Sequence, residues 1–292
     1  MGRETRVLTG GIYFGEGPRW HDGRLWFSDF YAHAVMSVSP AGDLRTEVQL
    51  GDQPSGLGWQ PDGTLLIVSM TKRQVLRRSP DGKISVHADL SHIATFHCND
   101  MVVDLAGGAY VGNFGFDLDA AIHVRGLPDV LANHPTAKLA YVTPEGQVRV
   151  VAEDMHFPNG SVITPDGKTL IVAETLAAAL TAFDIGPNGD LSNRSVWAQT
   201  NPAVPDGICL DTLGAIWVAN PVAPQCLRIA AGGQVLEIIE TGQACYACTL
   251  GGNDGKTLFM MTADSSDSKA ATTTRTGKIL VANVDSPHAG WP

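Results

Sequence analysis

Short apolar runs separated by turn residues recur along the whole chain. Each copy begins with an apolar residue, passes through a turn containing Asp or Gly, and continues as a run rich in Val, Ile, Leu and Trp. The six copies read WHDGRLWFSD from Trp20, WQPDGTLLIVS from Trp59, VVDLAGGAYVGN from Val102, ITPDGKTLIVAE from Ile163, LDTLGAIWVAN from Leu210 and LGGNDGKTLFMM from Leu250. Further runs that end in turns follow each copy, so every unit is predicted to contain about four β-strands.

The spacing of the copies is typical of one architecture. The Asp residues of the six first turns are separated by 40, 42, 62, 45 and 43 residues, and they are Asp22, Asp62, Asp104, Asp166, Asp211 and Asp254. Four strands at a period of about 40 to 50 residues are typical of a β-propeller blade. The sequence therefore predicts an all-β fold, a six-bladed β-propeller with four-stranded blades, forming a single domain over residues 1–292.

The N-terminal residues have a predicted place in this ring. Residues 4–10 have strand character but no unit of their own, and the last unit lacks a fourth strand. We expect this N-terminal strand to form the outer strand of the last blade and to close the ring, which removes exposed sheet edges.

Two segments interrupt the repeat. One separates Asn113 from Lys138, and a shorter segment rich in Ser and Thr covers residues 264–276. Both follow the second strand of their unit, and connections at that place emerge on the face where the first strands begin. Both insertions are therefore expected on one face of the disc.

One position in each unit is predicted to point at the propeller axis. It lies four residues before the apolar residue of the first strand and is occupied by Glu16, Ser55, Asn99, Asn159, Asp206 and Tyr246. The residues that follow are mostly very small, namely Gly17, Gly56, Asp100, Gly160, Gly207 and Ala247. Because the six innermost strands surround one axis, these side chains are expected to converge.

A cluster of two carboxylates and two carboxamides is costly to desolvate without compensation. A divalent cation would compensate this desolvation cost, and oxygen donors favour Ca²⁺, Mg²⁺ or Mn²⁺ over a structural zinc. The alternative is that Pro-Asn-Gly and Pro-Asp-Gly are ordinary turn phrases. The shared register of Asn159 and Asp206 with Glu16 and Asn99 favours a metal site on the axis.

Composition restricts the partners. Twenty Lys and Arg against thirty Asp and Glu give a net charge of −10, which argues against nucleic acid and anionic membranes as partners. The N-terminus lacks a signal-peptide core, and no run of 18 apolar residues occurs, so a cytoplasmic location is the default expectation. The C-x-x-C of Cys245 and Cys248 has no second pair at zinc spacing and is interpreted as two small strand residues.

Four short motifs, in this order and spacing, resemble the regucalcin and gluconolactonase family of six-bladed propellers. They are Gly15-Glu16-Gly17-Pro18, Cys98-Asn99-Asp100, Phe157-Pro158-Asn159-Gly160 and Pro205-Asp206-Gly207, and the resemblance covers essentially the whole chain. It implies that Glu16, Asn159 and Asp206 are direct ligands of one divalent ion, and that Asn99 binds the metal or the substrate beside it. Ca²⁺ is the expected ion, with Zn²⁺, Mn²⁺ and Mg²⁺ as alternatives.

The resemblance also implies hydrolysis of lactones, with the metal-bound Asp as general base. A divalent ion can polarise the carbonyl and stabilise the oxyanion, and Asp206 would then be the catalytic residue that deprotonates the attacking water. A carboxylate bound to a cation has a lowered pKa, so the metal must also acidify the water. Direct attack by Asp206, through an anhydride, is the alternative that the sequence leaves open.

The small-molecule substrate is expected to differ from that of sugar-lactone hydrolases of the family. Those relatives carry an Arg two residues before the Asn, where this chain has His97. Loss of a guanidinium weakens the case for a polyhydroxylated or acidic sugar, and an aromatic rim is predicted from Tyr13, Phe14, Phe96, Phe114, Phe116, His156, Phe157 and Tyr246. We expect a less polar lactone, contacted by His97, Asn99, Phe114, His156 and Tyr246. The same aromatic residues could instead pack under the loops.

Two other functions stay open from the sequence. Similar propellers hydrolyse organophosphates or aryl esters, although they usually hold a second buried calcium, for which this chain shows no clear carboxylate cluster. A non-catalytic propeller that binds calcium or a ligand is the third possibility. The presence of both Glu16 and Asp206 favours an enzyme.

Overall fold

The computed structural model describes residues 3–292 and contains six antiparallel sheets of four strands each. The first strand, β1 (Arg6–Ile12), belongs to the last sheet. Blade 1 consists of β2 (Gly15–His21), β3 (Arg24–Asp29), β4 (Ala34–Val38) and β5 (Leu44–Gln49), and blade 2 of β6 (Pro54–Trp59), β7 (Leu65–Ser69), β8 (Gln74–Arg78) and β9 (Ile84–Asp89). Blade 3 consists of β10 (Cys98–Val103), β11 (Ala109–Asn113), β12 (Ala137–Val142) and β13 (Val148–Met155).

The remaining blades repeat this order. Blade 4 consists of β14 (Pro158–Ile163), β15 (Thr169–Glu174), β16 (Ala179–Ile185) and β17 (Leu191–Gln199), and blade 5 of β18 (Ile208–Leu210), β19 (Ile216–Asn220), β20 (Gln225–Ile229) and β21 (Val235–Glu240). Blade 6 consists of β22 (Ala244–Gly251), β23 (Thr257–Ala263), β24 (Gly277–Asn283) and β1. The prediction of a six-bladed propeller is confirmed.

The N-terminal strand closes the ring as predicted. β1 pairs antiparallel with β24, with Arg6 opposite Val281 and Ile12 opposite Gly277. At the axis, the first strand of each blade packs against the first strands of both neighbouring blades, including β2 against β22. No blade therefore has to cover its apolar faces alone, because each is sandwiched between two others.

Burial follows the position of a strand within its blade. All five residues of β7, the second strand of blade 2, are buried, whereas four of the six residues of the outer strand β9 are exposed. The core lies between blades, where apolar side chains of facing sheets pack together. Cys245 and Cys248 lie in this core within β22, buried and as free thiols, as expected for small strand residues.

The two insertions contain the helices. The first, between β11 and β12, forms α1 (Leu118–Arg125) and α2 (Leu127–Ala132), and the second, between β23 and β24, forms α3 (Ser268–Thr274). The Asp117 carboxylate caps α1 by accepting from Ala120 N–H, and Asp267 caps α3 by accepting from Ala270 N–H. Both insertions line one cavity at the mouth of the central channel, which confirms that they share a face.

The C-terminal segment crosses the opposite face of the disc, where sequence reasoning predicted nothing. Trp291 exchanges two backbone hydrogen bonds with Ile163, and His288 forms a bridge with Asp211. No helix among residues 3–292 has the length and apolarity needed to span a membrane.

Candidate active site

The four predicted metal ligands lie together on the propeller axis. Glu16, Asn99, Asn159 and Asp206 are each no more than 9% exposed, and all four line one cavity of about 540 Å³ under the two insertions. Tyr246 lines the same cavity from blade 6. The shared register of the repeats has therefore brought side chains from four blades to one place.

A break in strand pairing directs these side chains inward. The register between the first and second strands shifts after Glu16 in blade 1, and the same shift follows Cys98 in blade 3 and Pro158 in blade 4. In blade 5 the first strand begins only at Ile208, so Asp206 precedes the regular pairing. A bulge of this kind re-aims a side chain and ends regular pairing next to a site.

The small residues that follow these positions have a packing reason. A Cβ atom added to Gly160 would lie 2.6 Å from the backbone nitrogen of Ile208, and one added to Gly207 would lie 2.6 Å from the Cα of Ala247. At Gly56 the nearest atom, Met101 N, would be 2.3 Å away. The inner strands thus approach so closely that only glycine fits, and this approach narrows the ring around the four polar side chains.

The electrostatics of the site are those of an unneutralised anionic pair. Burial raises the pKa of Glu16 well above its ordinary value, and the charges of Asp206 and Asp100 raise it further. Burial, followed by the charge of Asp100, also raises the pKa of Asp206. The Oδ1 atom of Asp206 is buried and has no hydrogen-bond donor. Such an atom is costly without a partner.

The donor set fits a hard divalent cation. Glu16 and Asp206 carry two negative charges, and the Nδ2 groups of Asn99 and Asn159 donate to Pro158 O and Thr175 Oγ1, both at 3.3 Å. The amide oxygens face away from these bonds, although Asn99 Oδ1 also accepts a long hydrogen bond from Ser55 Oγ at 3.5 Å. Each has a lone pair available to a cation, and carboxylate plus amide oxygen is a donor set suited to Ca²⁺. Among residues 3–292 no three His, Cys, Asp or Glu side chains are grouped to hold a metal, so an ion here depends on the two amides.

Sequence reasoning missed a buried ion pair beside the site. Arg19, 5% exposed, donates to the Asp100 carboxylate at 2.9 Å and to the carbonyl oxygens of Pro18, Leu57 and Met101 at 2.8, 2.9 and 2.6 Å. Four of its five N–H groups thus donate inside the protein, and its carboxylate partner is Asp100 rather than Glu16 or Asp206. The only available signal was that Asp100 replaces the small residue found in the other units.

Comparison with known proteins identifies the family of this chain. Residues 14–264 match the family described as the SMP-30/Gluconolactonase/LRE-like region. The chain belongs to this family. Regucalcin of Danio rerio is 28% identical over 185 residues, which are 62% of this chain and 59% of that protein. Pentonolactonase XacC of Haloferax volcanii is 25% identical over 268 residues, 89% of this chain and 84% of that protein.

The fold is also found among solved structures. A calcium-binding protein, regucalcin, from Agrobacterium tumefaciens superposes with a TM-score of 0.79 at 21% identity, covering 100% of this chain and 96% of its own. This likeness supports the six-bladed architecture of this chain.

The substrate contacts predicted from the sequence fall into two groups. His97, Asn99, Phe114 and Tyr246 line the cavity, whereas His156 does not. His156 Nδ1 instead lies 2.9 Å from Nε2 of His134 in the first insertion. The sequence could not show this, because His134 lies in a segment without repeat register.

His97 lies in the cavity wall, at the position where the family resemblance implies an arginine. Its ring stacks on Phe96 at 4.1 Å between centroids, and burial lowers its pKa. A neutral imidazole in this position lacks the charge and the fork of a guanidinium.

The aromatic residues form both a cavity wall and a core. Of the eight predicted rim residues, five line the cavity, namely Phe14, Phe96, Phe114, Phe157 and Tyr246, and three do not, namely Tyr13, Phe116 and His156. Phe30 and Tyr31, which were not predicted, also line it. Phe14, Phe30 and Tyr246 at the same time pack in the apolar core. Both interpretations of the aromatic residues thus apply.

A further pattern missed in the sequence fixes the loops around the site. Polar side chains at the ends of second strands accept from loop backbone. Asp29 accepts from the N–H groups of Tyr13, Phe14 and Ala32 at 3.0, 3.1 and 3.3 Å, and Glu174 accepts from His156 N–H at 2.7 Å. The signal was the polar residue that closes WFSD, YVGN, IVAE and WVAN.

Proposed function

We propose that this protein hydrolyses lactone rings with one divalent metal ion, Ca²⁺ by preference, held on the propeller axis by Glu16, Asn99, Asn159 and Asp206. Membership of the SMP-30/gluconolactonase family supports lactone hydrolysis as the reaction class. The observation that carries the proposal is the buried Oδ1 of Asp206, which has no hydrogen-bond donor and belongs to one of four oxygen-bearing side chains that line the same cavity.

Each side chain has a defined task. Glu16 and Asp206 supply two negative charges, and Asn99 and Asn159 supply neutral oxygens whose amide nitrogens are anchored in the protein. When bound, a divalent cation would polarise the lactone carbonyl and stabilise the developing oxyanion, an effect worth several kcal/mol. The Arg19–Asp100 pair links the inner strands of blades 1 and 3, and its charges are paired with each other rather than with the substrate.

Asp206 is the proposed general base. A carboxylate oxygen of Asp206 that does not bind the cation can accept a proton from the attacking water as the water oxygen bonds to the carbonyl carbon. The ring C–O bond then breaks, and the ring oxygen takes up a proton to give a hydroxy acid. General-base assistance of this kind contributes about 10² to 10⁴-fold. If Asp206 attacked directly instead, a mixed anhydride would form, and its opening by ¹⁸O-water at the Asp206 carbonyl would place the label in the Asp206 side chain in a single turnover. General-base catalysis places the label only in the product.

The test is a pH-indicator assay of γ- and δ-lactones, sugar lactones, aryl esters and paraoxon, on protein stripped with EDTA and reloaded with Ca²⁺, Zn²⁺, Mn²⁺ or Mg²⁺. We expect lactone turnover that is lost on stripping and restored by a divalent ion. Asp206→Asn should lower kcat by at least about a hundredfold. The control Asp22→Asn removes an exposed carboxylate from a first-strand turn and should leave kcat unchanged.

Three results would contradict the proposal. Full turnover by the stripped protein would exclude a role for the metal. Faster turnover of paraoxon or aryl esters than of every lactone would favour the organophosphate and arylester class instead, and no turnover of any substrate together with tight Ca²⁺ binding would favour a non-catalytic propeller.

A further inference from the structure

The wall of the active-site cavity has an uneven distribution of charge. Of the residues described, none that lines it is Lys or Arg. Besides Glu16 and Asp206 at the base, three carboxylates line it at the level of the insertions, namely Asp117, Asp119 and Asp267. A group that enters this cavity therefore meets negative charge at the mouth and finds no basic side chain to pair with an anion.

The three mouth carboxylates come from both insertions and face a common space. Asp117 and Asp119 flank the start of α1, and Asp267 precedes α3. The carboxylates repel one another: burial, and then the charges of Asp117 and Asp267, raise the pKa of Asp119. Tyr31, in the loop between β3 and β4, lines the same cavity and donates its hydroxyl to the carbonyl oxygen of Ser266 in the second insertion at 2.7 Å.

Between the mouth and the base the wall is aromatic. Phe114 stacks on Phe157 with centroids 4.6 Å apart and planes 13° apart, and Phe14 meets Tyr246 edge to face at 4.7 Å. Aromatic faces of this kind accept apolar groups and also cations, through their negative faces. They offer little to a chain of hydroxyl groups, which needs polar partners when desolvated.

The bottom of the cavity, formed by the axial side chains, independently fixes the position of the ligand's polar, reactive end. Asp206 lines the cavity and is 7% exposed, and its buried Oδ1 atom has no hydrogen-bond donor. A bound molecule is thus expected to place its carbonyl at the base, its body along the aromatic wall and its far end at the three carboxylates.

We infer that this site prefers lactones whose apolar substituent ends in a cationic group, accepts uncharged analogues less well and disfavours anionic ones, with Asp117, Asp119 and Asp267 as specificity-determining residues. This inference rests on the proposed lactone hydrolysis and specifies its substrate class. Lactones that bear a carboxylate or a phosphate are its poorest substrates.

The size of the selection follows from charge and screening. Three unit charges within about one Debye length of the ligand's end, roughly 8 to 10 Å at moderate salt, attract a cation and repel an anion equally. We expect kcat/KM for a cationic lactone to exceed that of an uncharged one by about tenfold at low ionic strength, and the uncharged to exceed the anionic by a similar factor. At about 0.5 M salt both ratios should fall to about two- to threefold.

The test compares three γ-lactones of one shape that carry an aryl substituent ending in an aminomethyl, a hydroxymethyl or a carboxylate group. The proteins are the metal-loaded wild type and the triple variant Asp117→Asn, Asp119→Asn, Asp267→Asn. Asn caps helices as well as Asp does, so the variant removes charge and keeps the caps of α1 and α3. The control triple Asp22→Asn, Asp62→Asn, Asp166→Asn removes three exposed carboxylates from first-strand turns, at the other end of the strands.

The expected result is a cation preference in the wild type and the control triple that shrinks at least threefold in the mouth triple. Equal rates for the three lactones, a preference for the anion, or an unchanged preference in the mouth triple would overturn the inference while leaving hydrolysis of the uncharged lactone intact. Dissociation constants of the three compounds, measured by calorimetry on the Asp206→Asn variant, test the same charge preference in the absence of turnover. If no lactone is hydrolysed, the proposed function fails, and the order of these dissociation constants still supports or overturns the charge selection.

Discussion

The close approach of inner strands at the axis makes Gly160→Ala an informative perturbation. The new Cβ would lie 2.6 Å from Ile208 N and 2.7 Å from Asp206 O, and both are backbone atoms that no rotamer change can move. Ordinary van der Waals contact needs at least 3.4 Å, so blades 4 and 5 must separate by most of an ångström. The backbone hydrogen bond from Gly160 to Asp206, 3.2 Å long, would be strained as well.

Overpacking of this kind costs about 1 to 3 kcal/mol. For a chain of this length the unfolding entropy is about 0.6 kcal/mol/K, so the melting temperature should fall by about 2 to 5 °C. Because the displaced backbone belongs to Asp206 and adjoins Asn159, affinity for a divalent ion should fall by more than stability alone explains.

Differential scanning calorimetry with and without Ca²⁺ measures both effects. Gly51→Ala is the matched control, since Gly51 is exposed and its nearest neighbour atom to an added Cβ is the flexible end of Lys72 at 4.0 Å. We expect the control to keep both the wild-type melting temperature and its increase with Ca²⁺. A Gly160→Ala variant that melts like the wild type and is stabilised equally by Ca²⁺ would refute the reasoning that glycine sets the geometry of the site.

Three further predictions concern the surroundings of the site. Arg19→Leu should lower the free energy of unfolding by about 3 to 5 kcal/mol, because it leaves the Asp100 charge buried and unpaired. In urea denaturation, adding Asp100→Asn to Arg19→Leu should restore part of the lost stability. Equal stability of the single and double variants would contradict this. Because the pKa values of Glu16 and Asp206 are raised in the metal-free fold, the unfolded chain loses protons above about pH 4 that the folded chain retains. The metal-free protein should therefore lose stability between about pH 4 and 7 relative to Asp206→Asn, and saturating Ca²⁺ should abolish that loss; a loss of the same size in both proteins would contradict the assignment. Asp29→Ala removes the acceptor of three loop N–H groups, so urea denaturation should show a loss of about 1 to 3 kcal/mol, whereas Asp22→Ala should cost less than about 0.5 kcal/mol; equal costs would show that the loops do not depend on this carboxylate.

The repeating part of the molecule was predictable from the sequence because symmetry converts register into position. The four axial residues share one position in the repeat, and the rotational symmetry of the blades brings them together whatever the neighbouring sequence is. They are Glu16, Asn99, Asn159 and Asp206. The pairing of β1 with β24 followed from the same count of strands.

The features that break the repeat were not predictable. The contact between His134 and His156 depends on how an insertion without periodicity folds back over blade 4. The path of Trp291 across the opposite face likewise has no counterpart in any unit. The charge of the mouth carboxylates could be read from the sequence, but their meeting required the positions of both insertions.

The central claim is that one divalent ion, bound by the four axial side chains, enables lactone hydrolysis. Its most direct test is a titration of EDTA-stripped protein with Ca²⁺, in which calorimetric binding and lactone turnover are followed on the same sample. The account predicts one site per chain, with turnover that rises in proportion to its occupancy and with both signals lost in Asp206→Asn. Turnover that is independent of occupancy, or unaltered binding by Asp206→Asn, would contradict it.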